Sequence, residues 1–156
     1  MALNVGQQAP DATLIGVDRK AVKISDLQGK TTVLAFFPAA FTSTCTKEMC
    51  QFRDDQAKFD SLSGQVVGIS ADTPFTLGEF AKQHGLKQLM LSDFNHEAMR
   101  AYEVYDGNFA GSLNGIARRS VFVIDKNGRL VYTWVAEKPG VEPPYEEVEA
   151  AIQKAK

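Results

Sequence analysis

The chain has 156 residues, of which 44% are hydrophobic and 23% charged, the balance expected of a soluble globular protein. Its formal net charge of -2 provides no basic surplus for binding nucleic acid or an anionic membrane. No apolar run approaches the roughly 18 residues that a membrane span requires.

The N-terminal segment lacks a basic region, a long apolar stretch and a small-residue cleavage site, so no secretory signal is expected. We therefore expect a cytoplasmic protein. In a reducing compartment structural disulfides are rare, and a pair of cysteines is more often catalytic, redox-active or metal-binding.

Strand-like and helix-like segments alternate along the chain. Predicted strands, in chain order, cover 12–17, 22–24, 31–37, 65–70, 87–91, 120–125 and 129–135, and the last two flank a Lys-Asn-Gly turn. Predicted helices cover 42–62, 73–83, 96–102 and a C-terminal segment that Pro143-Pro144 opens. This order indicates an α/β protein with a mixed central sheet and an N-terminal hairpin. A three-layer thioredoxin-like arrangement satisfies it, although periodicity alone does not select that fold.

The cysteine at position 45 lies where a buried strand gives way to a helix. The strand ends at Phe37, Pro38 blocks its extension, and Thr42 or Ser43 marks the helix start. Free backbone N–H groups and the positive end of the helix dipole favour an anion in the first turn, and a thiolate is such an anion. Taken alone, Cys45 could equally be a buried core residue.

The segment from Phe36 to Asp54 resembles the peroxiredoxins, because Pro38, Thr42 and Cys45 reproduce their P-x-x-x-T-x-x-C signature after a buried strand. The resemblance extends over nearly the whole chain and implies a single thioredoxin-like peroxiredoxin domain over residues 1–156. Within the family it is similar to the PrxQ (bacterioferritin comigratory protein) and alkyl hydroperoxide reductase E branches.

The resemblance implies a role for each matching residue. Cys45 corresponds to the peroxidatic cysteine, Thr42 to the residue that hydrogen-bonds the peroxide, and Pro38 to the residue that shields the thiolate from water. Arg119 matches the active-site arginine, with its neighbour Arg118 as an alternative. Glu48 matches a position that often holds this arginine. Thiol acidity alone raises the reactivity of a cysteine only a few fold, so hydrogen-bond donors fixed where charge develops must supply the remaining acceleration. We expect these donors to be the Thr42 hydroxyl, the Cys45 backbone N–H and the Arg119 guanidinium.

Peroxide oxidises such a cysteine to a sulfenic acid, which condenses with a nearby thiol. The spacing of Cys45 and Cys50 resembles the PrxQ branch, which implies that Cys50 resolves Cys45. In a helix these positions have Cα atoms roughly 8–9 Å apart, whereas a disulfide needs them within about 7 Å. Resolution therefore requires the helix to unwind. The alkyl hydroperoxide reductase E branch commonly lacks a cysteine at this position, so an outside thiol remains an alternative.

The resemblance implies a thiol-dependent peroxidase that reduces hydrogen peroxide and organic hydroperoxides, with thioredoxin or a similar dithiol as reductant and no organic cofactor. A one-cysteine peroxidase and a non-enzymatic peroxide sensor or holdase are the rivals. No metal site is expected, because the spacing of the cysteines, His84 and His96 fits no common zinc pattern. For the oligomeric state we expect either a monomer or a weak homodimer. From the sequence we expect Phe37, Phe41 and Phe94 either to line an entrance that favours organic hydroperoxides or to belong to the core.

Overall fold

The computed structural model describes residues 3–155 and contains strands, helices and one short 3-10 turn at Ile24–Leu27. The strands are β1 (Thr13–Gly16), β2 (Ala21–Lys23), β3 (Thr31–Phe36), β4 (Gly64–Ser70), β5 (Leu89–Ser92), β6 (Tyr105–Asp106), β7 (Ile116–Ala117), β8 (Ser120–Ile124) and β9 (Leu130–Val135). The helices are α1 (Ser43–Asp54), α2 (Gln56–Ser61), α3 (Pro74–His84), α4 (Glu97–Ala101) and α5 (Tyr145–Lys154).

Seven strands form one mixed sheet in the order β2-β1-β5-β4-β3-β8-β9, and β6 pairs with β7 in a separate ribbon. Strands β3, β4 and β5 are parallel, whereas β8 and β1 run antiparallel to their neighbours. In the centre, Val33 lies opposite Val66 on one side and Val123 on the other. The mixed central sheet and the N-terminal hairpin of β1 and β2 are thus as predicted.

Both faces of the sheet are covered, which explains the continuous apolar run of β3. Every residue of β3 is buried, with Val33 and Ala35 in one core and Leu34 and Phe36 in the other. The first core also contains buried residues of α1, α2, α3 and α5, and the second those of α4 and the 3-10 turn. The chain therefore forms the three layers that the order of elements predicts.

The helix predicted over 42–62 is interrupted at Asp55, where one helix ends and another begins. The Asp55 carboxylate accepts a hydrogen bond from the side chain of Gln51 at 3.0 Å, and its backbone leaves the helical region at φ -88° and ψ 5°. Phe52 and Phe59 still pack together across the break, with ring centroids 6.1 Å apart. The apolar periodicity therefore predicts the burial of these side chains correctly, but its prediction of one continuous helix is wrong.

Two further segments differ from the prediction. Ile24, predicted to end a strand, begins the 3-10 turn, because the Lys23 N–H donates to the Asp26 carboxylate and turns the chain. The ribbon of β6 and β7 was not predicted at all.

None of the helices in the described residues is long and apolar enough to cross a membrane.

Candidate active site

The site begins where the chain leaves β3 at the carboxyl-terminal edge of the parallel strands. The Phe37 N–H donates to the Ile69 carbonyl at 2.9 Å, and buried Pro38 then ends the strand pairing. The Ala40 N–H donates to the Asp72 carboxylate at 2.8 Å. This bond ties the loop before α1 to the segment that follows β4, so two strand ends define the position of the helix N-terminus.

Cys45 is the third residue of α1, and its side chain is 1% exposed. The N–H groups of the first helical turn have no intrahelical acceptor, so the sulfur lies at the electropositive end of the helix. The guanidinium of Arg119 reaches the same sulfur, because its Nη2 donates to Cys45 Sγ at 3.3 Å. Two separate elements therefore direct positive charge at one sulfur atom.

Arg119 immediately precedes β8, and its guanidinium is held between two partners. Its Nη1 donates to the Glu48 carboxylate at 2.5 Å, while Nη2 is the group that contacts Cys45. Arg118 points elsewhere: it is exposed, and its Nη2 donates to the Ala136 carbonyl at 3.1 Å. Adjacent residues of an extended segment project to opposite sides, so only Arg119 of the two reaches the sulfur.

Glu48 is completely buried one helical turn after Cys45. Burial raises the pKa of Glu48 to about 7, although the guanidinium of Arg119 opposes this rise. Burial acts to lower the pKa of Arg119, but the charges of Glu48 and Cys45 outweigh it and raise that pKa above its usual value. Within residues 3–155, Glu48 Oε2 and Arg119 Nε are buried without a hydrogen-bond partner. The ion pair is thus tightly coupled and incompletely satisfied.

Thr42 is the N-cap residue of α1, and its hydroxyl donates to the Ala39 carbonyl at 2.9 Å. With its proton engaged there, the hydroxyl oxygen is left as an acceptor of hydrogen bonds. Thr42 and Cys45 line the same pocket. The Thr42 side chain therefore lies beside Cys45 and offers a ligand an acceptor, rather than the donor expected from the sequence.

A pocket of about 200 Å³ opens at Cys45. Its apolar wall comes from the segment that carries the β6–β7 ribbon, through Phe109, Leu113 and Ile116. The three phenylalanines considered from the sequence do not line this pocket: Phe37 is fully buried in the core, whereas Phe41 and Phe94 are 47% and 55% exposed.

The segment that forms this wall was missed because its sequence, NFAGSLNGIA, has neither helical nor strand periodicity. The one sequence feature that could have indicated this wall is the presence of apolar residues among glycine and asparagine. Asp72, which anchors the loop before α1, gave no sequence signal either.

Cys50 lies on the same continuous helix as Cys45, and both cysteines are free. Cys45 is buried, whereas Cys50 is half-buried. Between them, the Met49 carbonyl accepts a hydrogen bond of 2.8 Å from the buried side chain of Gln88. This contact fastens the middle of α1 to the segment before β5, and it was not anticipated from the sequence.

Both histidines are half-buried, and each packs on an aromatic ring. His84 lies against Phe80 and His96 against Tyr105, with ring centroids 5.2 and 5.3 Å apart. In the described residues no three histidine, cysteine or acidic side chains are grouped so that they could hold a metal ion.

Comparison with known proteins identifies the family. The model of the AhpC/TSA family matches residues 5–133. Peroxiredoxin Bcp from Bacillus subtilis (strain 168) is 40% identical over 136 residues, which cover 86% of this chain and 86% of that protein. The chain belongs to the AhpC/TSA family. This AhpC/TSA protein is a peroxiredoxin, an enzyme that reduces peroxides with electrons from thiols.

Two solved structures resemble the AhpC/TSA protein closely. The peroxiredoxin-like protein from Aquifex aeolicus is 28% identical, with a TM-score of 0.91 over 100% of this chain and 90% of that one. Peroxidoxin BcpB from Mycobacterium tuberculosis is 27% identical, with a TM-score of 0.87 over 99% of both chains. The expected thioredoxin-like fold and the expected resemblance to the bacterioferritin comigratory branch are confirmed.

Proposed function

We propose that Cys45 is the peroxidatic cysteine of this enzyme. The observation that carries the proposal is the contact of 3.3 Å between Arg119 Nη2 and the buried Cys45 sulfur at a helix N-terminus. The thiolate attacks one peroxide oxygen, so that an S–O bond forms as the O–O bond breaks. The second oxygen leaves with the electron pair of the O–O bond and takes up a proton, which gives water or an alcohol and a Cys45 sulfenic acid.

The surrounding groups stabilise the charge that moves from sulfur to oxygen during this step. Arg119 donates towards the reacting atoms, and the free N–H groups of the first turn of α1 point to the same region. The Thr42 hydroxyl accepts a hydrogen bond from the peroxide while it donates to Ala39. Pro38, which is buried and lines the pocket, keeps water from the sulfur. Glu48 orients Arg119 through its contact of 2.5 Å.

We further propose that Cys50 resolves the sulfenic acid and that thioredoxin, or a similar dithiol protein, reduces the resulting disulfide. The two thiols lie on one helix, which supports an intrachain disulfide but requires α1 to open first. Resolution by an external thiol is the second candidate, and the Gln88 contact that holds α1 closed favours it. In either case residues 1–156 act as one domain, the protein is a monomer or a weak homodimer, and its compartment is the cytoplasm.

Peroxide consumption coupled to thioredoxin, thioredoxin reductase and NADPH tests both steps. We expect repeated turnover by the wild type and none by Cys45→Ser. Consumption of a single equivalent by the wild type would instead indicate a peroxide sensor. If Cys50→Ser turns over at the wild-type rate with thioredoxin, Cys50 is not the resolving residue. Mass spectrometry after one equivalent of peroxide separates the two resolution routes, because it distinguishes a sulfenic acid from a disulfide between Cys45 and Cys50.

A further inference from the structure

A second chamber of about 230 Å³ adjoins the active-site pocket. The two cavities share four lining residues, which are Pro38, Phe109, Arg119 and Pro139. The shared residues include Arg119, whose guanidinium contacts the Cys45 sulfur. A small molecule whose reactive end lies at Cys45 can therefore extend its other end into the second chamber.

The second chamber is lined by polar and apolar groups in equal measure and contains two cations that have no carboxylate partner in the described residues. It is lined by Arg118 and Lys138, neither of which forms an ion pair in the described part of the chain. The carboxylates of Asp106 and Glu137 also line it, but Asp106 already accepts a hydrogen bond of 2.8 Å from the Asn108 N–H. Arg118 and Lys138 are thus cations that remain available to a ligand, with Asp106 and Glu137 offsetting part of their charge.

The walls of this chamber are held in place by several contacts. The Arg118 guanidinium donates to the Ala136 carbonyl at 3.1 Å, which orients its remaining N–H groups. Tyr105, which also lines the chamber, contacts the Arg100 guanidinium, 4.0 Å from its ring centroid, and the His96 ring. The Tyr105 hydroxyl donates to Asn114 at 2.6 Å. The chamber is therefore pre-formed, as ligand pockets usually are.

We propose that this chamber binds the carboxylate of a small reactant whose thiol or hydroperoxide group reaches Cys45, with Arg118 and Lys138 as the binding cations. The inference rests on the proposed role of Cys45 and adds the chemical class of its reactant. A planar guanidinium matches the two oxygens of a carboxylate, and a nearby ammonium adds charge. The reactant is either the reductant or the peroxide, and the test below separates the two sources.

If the reactant is a thiol, it acts on the sulfenic acid that the peroxide step leaves. Its sulfur forms an S–S bond with Cys45 as the S–O bond breaks, and the oxygen leaves as water with the thiol proton. A second thiol then attacks this mixed disulfide, so that Cys45 returns to the thiol state and the two small thiols leave as their disulfide. If the reactant is a hydroperoxide, the chamber acts one step earlier, in the attack by Cys45.

The thiol arm uses the full chain with Cys50→Ser, so that only external thiols resolve Cys45. After oxidation with one equivalent of hydrogen peroxide, the loss of sulfenic acid is followed with anionic 3-mercaptopropionate and with neutral 2-mercaptoethanol. We expect Arg118→Ala and Lys138→Ala each to slow the reaction of the sulfenic acid with the anionic thiol about threefold to fivefold, relative to its reaction with the neutral thiol. This factor corresponds to the free energy of a solvent-accessible ion pair. Arg129→Ala is the matched control, because Arg129 is also exposed and donates to a backbone carbonyl, that of Gly6, at 3.2 Å.

The hydroperoxide arm measures the oxidation rate of Cys45 in the same variants with anionic monoperoxyphthalate and neutral tert-butyl hydroperoxide. A selective loss with the anionic thiol supports the proposal and identifies the ligand as a reductant. A selective loss with the anionic peroxide supports it and identifies the ligand as a substrate. If Arg118→Ala and Lys138→Ala change neither ratio, or Arg129→Ala changes them equally, the chamber is not a carboxylate site. Failure of any peroxide to oxidise Cys45 would overturn the proposed function instead, so the two failures are distinguishable.

Discussion

The guanidinium of Arg119 contacts the Cys45 sulfur at 3.3 Å, across 74 residues of sequence and from a different element of the fold. The same guanidinium is held by Glu48, one turn along the helix that carries the cysteine. A single cation thus links the reacting sulfur to a buried carboxylate, and its position depends on both. This relationship makes the site sensitive to the shape of the cation as well as to its charge.

Arg119→Lys tests that sensitivity. Lysine keeps the positive charge beside Glu48 but lacks the planar fork that serves two partners at once. We expect the second-order rate of Cys45 oxidation by hydrogen peroxide to fall about 100-fold, the effect of losing one well-placed donor to a developing charge. Stopped-flow measurement gives the rate, and Arg129→Lys is the surface control. A loss of less than twofold in Arg119→Lys would show that charge alone suffices.

Thr42 provides a test of the hydroxyl that faces the pocket. Thr42→Val keeps the shape of the side chain and removes the hydrogen-bonding oxygen, whereas Thr42→Ser keeps the oxygen. We expect valine to lower the peroxide rate about tenfold to 100-fold, because the bound peroxide loses an acceptor. The serine variant should stay within a few fold of the wild type. Equal rates for valine and serine would exclude a role for the hydroxyl.

Glu48 makes stability depend on pH in a specific direction. Because burial raises the pKa of Glu48 from 4.5 to about 7, the folded state binds this proton more tightly than the unfolded state. The stabilisation associated with protonated Glu48 is complete below about pH 4.5 and is lost as the pH rises through about 7. Relative to Glu48→Gln, the wild type should therefore lose about 3 kcal/mol of unfolding free energy over this range.

Urea unfolding of both proteins between pH 4.5 and 8 measures this difference in stability. Glu48→Gln retains the size of the side chain and a hydrogen-bonding oxygen for Arg119, so packing is matched. A difference in stability that does not vary with pH, or one that favours the wild type as the pH rises, would mean that Glu48 is ionised throughout.

Gln88 should control how quickly α1 opens. Its side chain donates to the Met49 carbonyl at 2.8 Å between the two cysteines, so Gln88→Leu removes one contact that opposes unwinding. A buried hydrogen bond contributes about 1 kcal/mol, so the disulfide between Cys45 and Cys50 should form roughly fivefold faster after oxidation. Acid quenching and mass spectrometry follow its formation, with the exposed Gln83→Leu as control. If the disulfide forms at the same rate in Gln88→Leu, the opening of α1 does not limit resolution.

Leu113 tests the apolar wall of the pocket. It is 49% exposed and lines the cavity at Cys45, whereas Leu89 is 40% exposed at the start of β5 and does not line it. Leu113→Ala should slow reduction of cumene hydroperoxide about threefold while hydrogen peroxide is unaffected, since only the larger substrate contacts the wall. Leu89→Ala is the matched control. An equal effect of Leu113→Ala on both peroxides would argue against selection by this wall.

Local parts of the fold and site were predictable from sequence, because their signals lie within a few residues. The apolar run of β3, the proline after it and the threonine at the N-cap position together place Cys45 in the first turn of α1. The break at Asp55 was not predictable from apolar spacing, which continues on both sides of it. A side-chain hydrogen bond to Gln51 accompanies this break, and hydrophobic periodicity does not detect such bonds.

The non-local parts of the site depended on tertiary structure. Sequence spacing could not show which of Arg118 and Arg119 contacts Cys45. The two side chains project in opposite directions, and only the folded structure shows which direction faces the sulfur. Leu113 and the other apolar wall residues lie in a segment without periodicity, so their position over the pocket follows only from the folded ribbon. The anchor from Gln88 to Met49 likewise joins segments that are 39 residues apart.

The most direct test of the account is mass spectrometry of the wild-type protein, quenched milliseconds after one equivalent of hydrogen peroxide. We expect the first product to carry one added oxygen on Cys45 and to decay to a disulfide or to an adduct with an added thiol. Peroxide consumption with Cys45 unmodified, or oxygen found first on Cys50, would contradict it.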